Sequence, residues 1–238
     1  MDYFFVDPKD VHGRVALVRG DEFKHLSRVL RKKEGEHVVL VDGEDHAFEA
    51  VIHSVDASHA ECEILDVKHR VNEPKIDVTL AVSLLRNPAR FDFLIEKVTE
   101  LGVRTIVPLL CERTIPRSEK HARFEKIALS AMKQCGRSYL PKIYPSTSLA
   151  SLLDHADKYG LRLIPHEKTE QSHFIGSVLQ HHSQVSSALI VVGPEGGFSE
   201  EEMGLASEKG FVPISLGPRR LRAETAAISA VSWVVGSW

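Results

Sequence analysis

The chain has 238 residues, 43% hydrophobic and 26% charged, with 15 Gly and 11 Pro, which fits a globular protein and excludes a collagen-like or broadly disordered one. Its length supplies a core that needs no staple of metal or disulfide, and a net charge of −3 excludes a protein that coats nucleic acid by bulk electrostatics. No apolar run approaches the ~18 residues that span a bilayer, and the opening MDYFFVDPKD lacks the basic and apolar regions of a secretory signal. The expectation is a cytoplasmic protein with no membrane partner. Cys62, Cys111 and Cys135 are too far apart for a Cys-x-x-Cys knuckle and read as reduced, structural thiols. The 13 histidines are scattered and form no His-Glu-x-x-His, so no metal site is expected.

In chain order, residues 15–18, 37–41, 47–52 and 60–65 are short runs with β-branched content or alternation, bounded by turn signals such as Asp42-Gly43; they predict strands. Between the first two, Phe23, Leu26, Val29 and Leu30 recur at helical spacing over residues 21–30. Several strands with one small helix predict a compact barrel. That helix carries Lys24, His25, Arg28, Arg31, Lys32 and Lys33, which reads either as a solvated face or as a phosphate-contacting edge. Residues 1–72 hold ten Lys/Arg against fifteen Asp/Glu, a net −5, so any grip on RNA must come from a patterned face.

Residues 68–75 become charged and contain Pro74, marking a linker. Beyond it, strands at 76–85, 103–110, 142–144, 161–165, 188–193 and 211–216 alternate with helices at 90–101, 119–135 and 149–158, the pattern of βα units around a mostly parallel sheet. The strand at 188–193 runs into Gly193-Pro-Glu-Gly-Gly, and Ser199 with Glu202 makes a capping box that starts a helix. Glycines at the carboxyl end of a strand let backbone approach a ligand closely. The loop is neither Gly-x-Gly-x-x-Gly nor a P-loop, so no dinucleotide or NTP is indicated. One βα unit later, Gly217-Pro-Arg-Arg-Leu-Arg222 leads into an Ala-rich helix and should open on the same sheet edge, giving a pocket with a basic wall.

Gly193-Pro-Glu-Gly-Gly, Leu216-Gly217, Leu221-Arg222 and Glu224-Thr225-Ala226 together resemble the signature of the bacterial 16S ribosomal RNA uracil-N3 methyltransferases, of the knotted SPOUT class. The likeness extends along the chain: His25-Leu26 and Val29-Leu30-Arg31 resemble the family's PUA-like barrel, and Lys97, Glu100-Leu-Gly-Val103 and Gln134-Cys-Gly-Arg137 match its central motifs. Arg220 and Ala223 depart from the family's more usual aliphatic residue and threonine. The resemblance implies an α/β fold: a PUA-like β-barrel over 1–70 that docks RNA, and a trefoil-knot methyltransferase domain with a mostly parallel sheet over 76–238. It also implies S-adenosylmethionine as cofactor, a homodimer, and N3 of a specific uridine in 16S ribosomal RNA of the small ribosomal subunit as target.

Under that resemblance the cofactor pocket comprises Gly193, Pro194, Glu195, Gly196, Gly197, Leu216, Gly217, Leu221, Thr225 and Ala226, with His166 and Glu167 as a third loop. Arg222 is the candidate for stabilising the uracil anion, and Glu224 for orienting Arg222 or acting as the base. RNA contacts are assigned to Lys24, His25, Arg28, Arg31 and Lys32, with Arg137, Arg219 and Arg220 nearer the reacting base. Three alternatives stay open: a noncatalytic RNA-binding or ribosome-assembly protein of this fold, a SPOUT enzyme acting on another RNA position, and, least supported, a Rossmann-type enzyme.

Overall fold

The alternating runs of the amino-terminal part form one mixed sheet: β1 (Tyr3–Phe5), β2 (Val11–His12), β3 (Val15–Arg19), β4 (His37–Val41), β5 (His46–Val55) and β6 (His59–His69), in the order β1-β4-β5-β6-β3-β2. The computed structural model describes residues 2–182 and 185–237. It comprises two units, one of residues up to 73 with 129–140, the other of 74–128 with 141 onward. In the first, Phe4 of β1 and Ala16 and Val18 of β3 share a core with Leu40, Ala50, Ile52, Cys62 and Ile64. Residues of β1, at one end of the sheet order, and of β3, next to the other end, therefore belong to one core, as a barrel-like sheet requires. β1 was not among the predicted strands; it pairs parallel to β4.

The helix expected over 21–30 begins as α1 (Gly20–Lys24) and then widens into a π-helical turn over residues 25–29. Phe23 and Leu26 are buried as expected. The wider turn rotates the residues after Leu26 away from the core, so Val29 and Leu30, expected on the buried face, are 65% and 39% exposed.

The segment 68–75 is less a linker than its charges suggest, because β6 continues through His69 and the Glu73 side chain is buried. Its partner is Arg137, which corrects the expectation that this arginine reaches RNA. Only 1% of Arg137 is exposed, and its guanidinium donates to Glu73, with Nη2 2.6 Å from Oε2 and Nε 3.1 Å from Oε1. Around this pair, Val71 N donates to Ser138 Oγ at 2.9 Å and Asn72 Nδ2 to the Gly136 carbonyl at 2.8 Å. A buried charge persists only when paired and hydrogen-bonded, and here the pair fastens residues 136–139 to the end of the first sheet's last strand.

The second unit holds β7 (Asp77–Ser83), α2 (Pro88–Glu100), β8 (Thr105–Leu110), α3 (His121–Cys135), β9 (Lys142–Ile143), β10 (Thr147–Ser148), α4 (Leu149–Leu153), β11 (Leu161–Pro165), α5 (Ile175–Gln180), β12 (Ser187–Val192), α6 (Glu200–Glu208), β13 (Val212–Ile214) and α7 (Ala223–Gly236). α3 ends within the 129–140 segment that belongs to the first unit. The expected helix over 149–158 is broken into α4 and a 3-10 turn over 156–158, and α5 was not anticipated. α2 starts where Asn87 accepts from Ala89 N with Pro88 in the first turn. It is followed by Gly102 at φ +100°, where an added Cβ would lie 2.3 Å from the Pro74 ring.

The sheet is parallel throughout, in the order β10-β8-β7-β12-β11-β13, with β9 beside β8. β12 separates β7 from β11, although β11 comes earlier in the chain. Because β11, β12 and β13 run the same way, the loops leaving their carboxyl ends emerge on one edge of the sheet.

Candidate active site

Those loops enclose a cavity of about 1100 Å³. Its wall includes His166 and Glu167 after β11, residues 193–199 after β12, and residues 215–223 with Ala226 after β13. The two glycine- and arginine-bearing turns thus open into the same space, as the sequence pattern requires, and the third loop joins them.

The first turn is held by polar contacts on both sides. Ser199 Oγ accepts from Glu202 N while Glu202 Oε2 accepts from Ser199 N, completing the predicted capping box at the start of α6. The other Glu202 oxygen accepts from Glu112 N at 2.8 Å, and Glu195 Oε1 accepts from Arg86 N at 3.0 Å. At Gly193 the fit is close: a Cβ there would stand 3.0 Å from the Phe198 ring, which would have to give way. Gly197 and Gly217 have φ of +69° and +106°, and the space that a Cβ would take at either is open.

Arg113, which the sequence reading did not single out, lies on the cavity wall. Its Nη1 donates to the Gly196 carbonyl at 2.9 Å and the Phe198 carbonyl at 3.3 Å, and its stem packs 3.4 Å from where a Gly196 Cβ would be. The loop that carries it is pinned by Thr114, whose Oγ1 lies 2.7 Å from Ser83 Oγ and accepts from Cys111 N at 2.8 Å. The one signal in the sequence was position: Glu112-Arg113-Thr114 follows an apolar parallel strand, whose carboxyl end faces the ligand edge. Burial pushes the neighbouring Cys111 thiol up to about 12, with Glu202 adding to it, so this sulfur is inert.

In the second turn, Ser215 N donates to the His173 carbonyl at 2.9 Å and Gly217 N to Ser215 Oγ at 3.3 Å. Arg222 sits at the N-cap of α7, exposed, on the cavity wall and in no ion pair among the described residues. Arg219 and Arg220 line the same mouth, and Arg220 Nε lies 3.3 Å from Glu167 Oε2, tying the second and third loops. His166 N donates to the Ile214 carbonyl. Desolvation, then the charge of Lys168, holds its imidazole below the ordinary histidine range, so it is neutral at neutral pH.

Two expected residues stand elsewhere. Glu224 is buried and off the cavity wall, with Oε1 3.6 Å from Arg90 Nε of α2 and Oε2 without a hydrogen-bond partner among the described residues. It therefore neither orients Arg222 nor reaches the cavity as a base, because the helical turn after Arg222 points its side chain at α2. Thr225 is exposed and also off the wall, whereas Ala223 and Ala226 are on it. Of the basic residues on the first unit, Lys24 is paired with Asp21, and Lys32 lies 3.1 Å from Asp2 and 3.3 Å from Glu36. Hydrogen bonds to those two carboxylates raise the Lys32 pKa. Arg28 and Arg31 are exposed and unpaired among the described residues.

Residues 72–235 match an RNA methyltransferase domain, and residues 18–65 match an RNA methyltransferase PUA domain. The chain belongs to this RNA methyltransferase family. Relatives within it include the ribosomal RNA small subunit methyltransferase E of Mesomycoplasma hyopneumoniae, 34% identical over 94% of this chain and 95% of that one. The protein of the same name from Synechocystis is 30% identical over 96% of this chain and 75% of that one. A crystal structure of the Neisseria gonorrhoeae enzyme, bound to S-adenosyl methionine, superposes with a TM-score of 0.88 at 33% identity, covering 100% of this chain and 98% of that one. A Legionella pneumophila methyltransferase in complex with the same cofactor superposes at 0.82 with 30% identity, covering 99% and 97%. The PUA match falls within the mixed sheet, and the methyltransferase match takes in every strand of the parallel sheet.

Proposed function

We propose that this protein transfers a methyl group from S-adenosylmethionine to N3 of a uridine in the RNA of the small ribosomal subunit, in the cytoplasm. The observation that carries the reading is the convergence of three loops, Gly-rich, Arg-rich and His166-bearing, on one cavity. The residues present fit the cofactor: Gly197 and Gly217 leave open space at the wall, and Val192, Leu216, Leu221 and Ala226 supply apolar surface for an adenosyl group.

When bound, the cofactor supplies an electrophilic methyl on sulfonium. The chain's residues must hold the uracil in line and stabilise the charge left when N3 loses its proton. Arg222 suits that second task. A guanidinium at the cavity wall, in no ion pair among the described residues, lowers the effective pKa of N3 and stabilises negative charge shared with O2 and O4. Arg219 brings further positive charge for the flanking phosphates. N3 lies on the Watson–Crick edge, so the target must be unpaired or extruded. The protein works as a homodimer through the exposed face of α7, where Trp233 is 43% exposed and packs edge-on against Phe174.

Small-subunit particles incubated with the protein and isotopically labelled cofactor test the reading, with the modified nucleotide mapped by mass spectrometry. One uridine carrying the label at N3 is the expected result. Label on a ribose hydroxyl or another base would move the chemistry elsewhere, and a protein that binds S-adenosylhomocysteine yet transfers no label would be the noncatalytic alternative. Light scattering at micromolar concentration tests the dimer.

A further inference from the structure

A second cavity, of about 350 Å³, lies in the first unit, walled by Tyr3, His25, Leu30, Asn72, Gln134 and Gly136 among others. We propose that it holds one unpaired nucleobase of the RNA substrate, an anchor distinct from the base that is methylated. The proposal rests on the reading of the chain as an RNA-modifying enzyme and adds a site to it.

Four observations converge on this cavity. Its volume falls at the low end of the roughly 300–1,000 Å³ of small-ligand clefts, matching one nucleotide rather than a helix. Its wall sets Tyr3, His25 and Leu30 beside polar groups: Asp2 and Lys133 are already paired, with Lys32 and Glu22, whereas Gln134 is exposed with no hydrogen bond among the described residues, and Asn72, its Nδ2 committed to the Gly136 carbonyl, keeps Oδ1 without a hydrogen bond among them, so both carboxamides can answer a base edge. Gly136 belongs to the wall by necessity, because at φ +73° a Cβ would come 3.1 Å from the Tyr3 ring and 3.3 Å from Asn72 Nδ2.

The backbone beside the cavity is also unusual. A π-helical turn over residues 25–29 is followed by Arg31 at φ +53°, a left-handed conformation that a non-glycine residue adopts at a cost. The consequence of that geometry is to put Val29 and Leu30 into solvent instead of the core. Exposed apolar side chains flanked by Arg28 and Arg31, both unpaired among the described residues, are the combination that binds single strands: a surface to stack on and cations for the backbone. The rest of the first unit is acidic, so a duplex or a protein with an acidic face would meet repulsion outside this patch, whereas one splayed nucleotide would not.

The test uses the full chain and a short fluorescein-labelled oligouridine followed by anisotropy over a range of salt. Leu30→Ala and Gln134→Ala, both exposed positions, should each weaken binding roughly five- to hundredfold, with the slope of log affinity against log salt unchanged. Arg31→Ala should instead lower the magnitude of that slope by about 0.7. Wild-type affinity in both wall variants overturns the proposal, as does a wild-type protein that does not bind the oligonucleotide. Unchanged oligonucleotide binding with lost binding to small-subunit particles would also overturn it, in favour of a protein partner. Binding of S-adenosylhomocysteine and label transfer, measured on the same preparations, report separately on the methyltransferase reading.

Discussion

Arg113 is where the structure adds most to the candidate site, and removing it isolates what the Gly-rich turn needs. In Arg113→Ala the Gly196 carbonyl loses a charge-assisted bond of 2.9 Å and the Phe198 carbonyl a longer one of 3.3 Å. Hydrogen bonds to charged groups contribute about 1.5–3 kcal/mol each. The donor side chain is exposed, so the shorter bond counts at the low end and the longer one for a few tenths, about 1.5–2 kcal/mol together. Both acceptors belong to the turn that lines the cavity, so the loss should appear in cofactor affinity: roughly 10- to 30-fold weaker S-adenosylhomocysteine binding by calorimetry. Global stability should change little, since Glu202 and the capping box still hold the start of α6. Arg113→Lys, which keeps a charged donor group but loses the planar, pre-organised guanidinium, should fall between. Unchanged affinity in Arg113→Ala would refute the reasoning, and so would a fall in melting temperature large enough to account for the lost binding.

Arg222→Ala should lower kcat for label transfer by about 10²–10³-fold while S-adenosylhomocysteine affinity stays within a few-fold, because the guanidinium acts on charge present only during transfer. Truncating either partner of the buried Arg137–Glu73 pair should destabilise the protein by about 3–5 kcal/mol in urea unfolding. Replacing both with apolar residues of similar shape should recover much of that, an outcome that a role in RNA contact would not produce. His166 has a folded pKa below its unfolded value, so the unfolded chain binds the extra proton first. Stability should therefore decline as pH falls from about 6.5 toward the folded pKa and level off below it, and His166→Asn should flatten that limb of a melting-temperature profile.

Much of the candidate site was legible in the chain because its signals are local. Gly193, Gly197 and Gly217 are favoured by packing or by positive φ within a few residues of themselves, and Ser199 and Glu202 sit at the fixed spacing of a capping box. Arg113 was missed and Glu224 misjudged for the opposite reason. Arg113 acts on a turn more than eighty positions away in sequence, and the direction of Glu224 depends on which face of α7 meets α2. Arg137 was misassigned because nothing local to it reveals its partner: Glu73, 64 positions earlier in the chain, buries the charge.

The amino-acid sequence by itself determined the division into a β-rich part and an alternating βα part, the placement of most strands, and the two turns that line the cavity. Hydrophobic period, caps and turn residues operate over a few positions and need no knowledge of the fold. Only the tertiary structure decided that β12 enters between β7 and β11, that residues 129–140 pack with the first unit, and that the helix after Asp21 opens into a π-helical turn. These depend on which distant surfaces exclude water together, a property of the folded chain that no local pattern encodes.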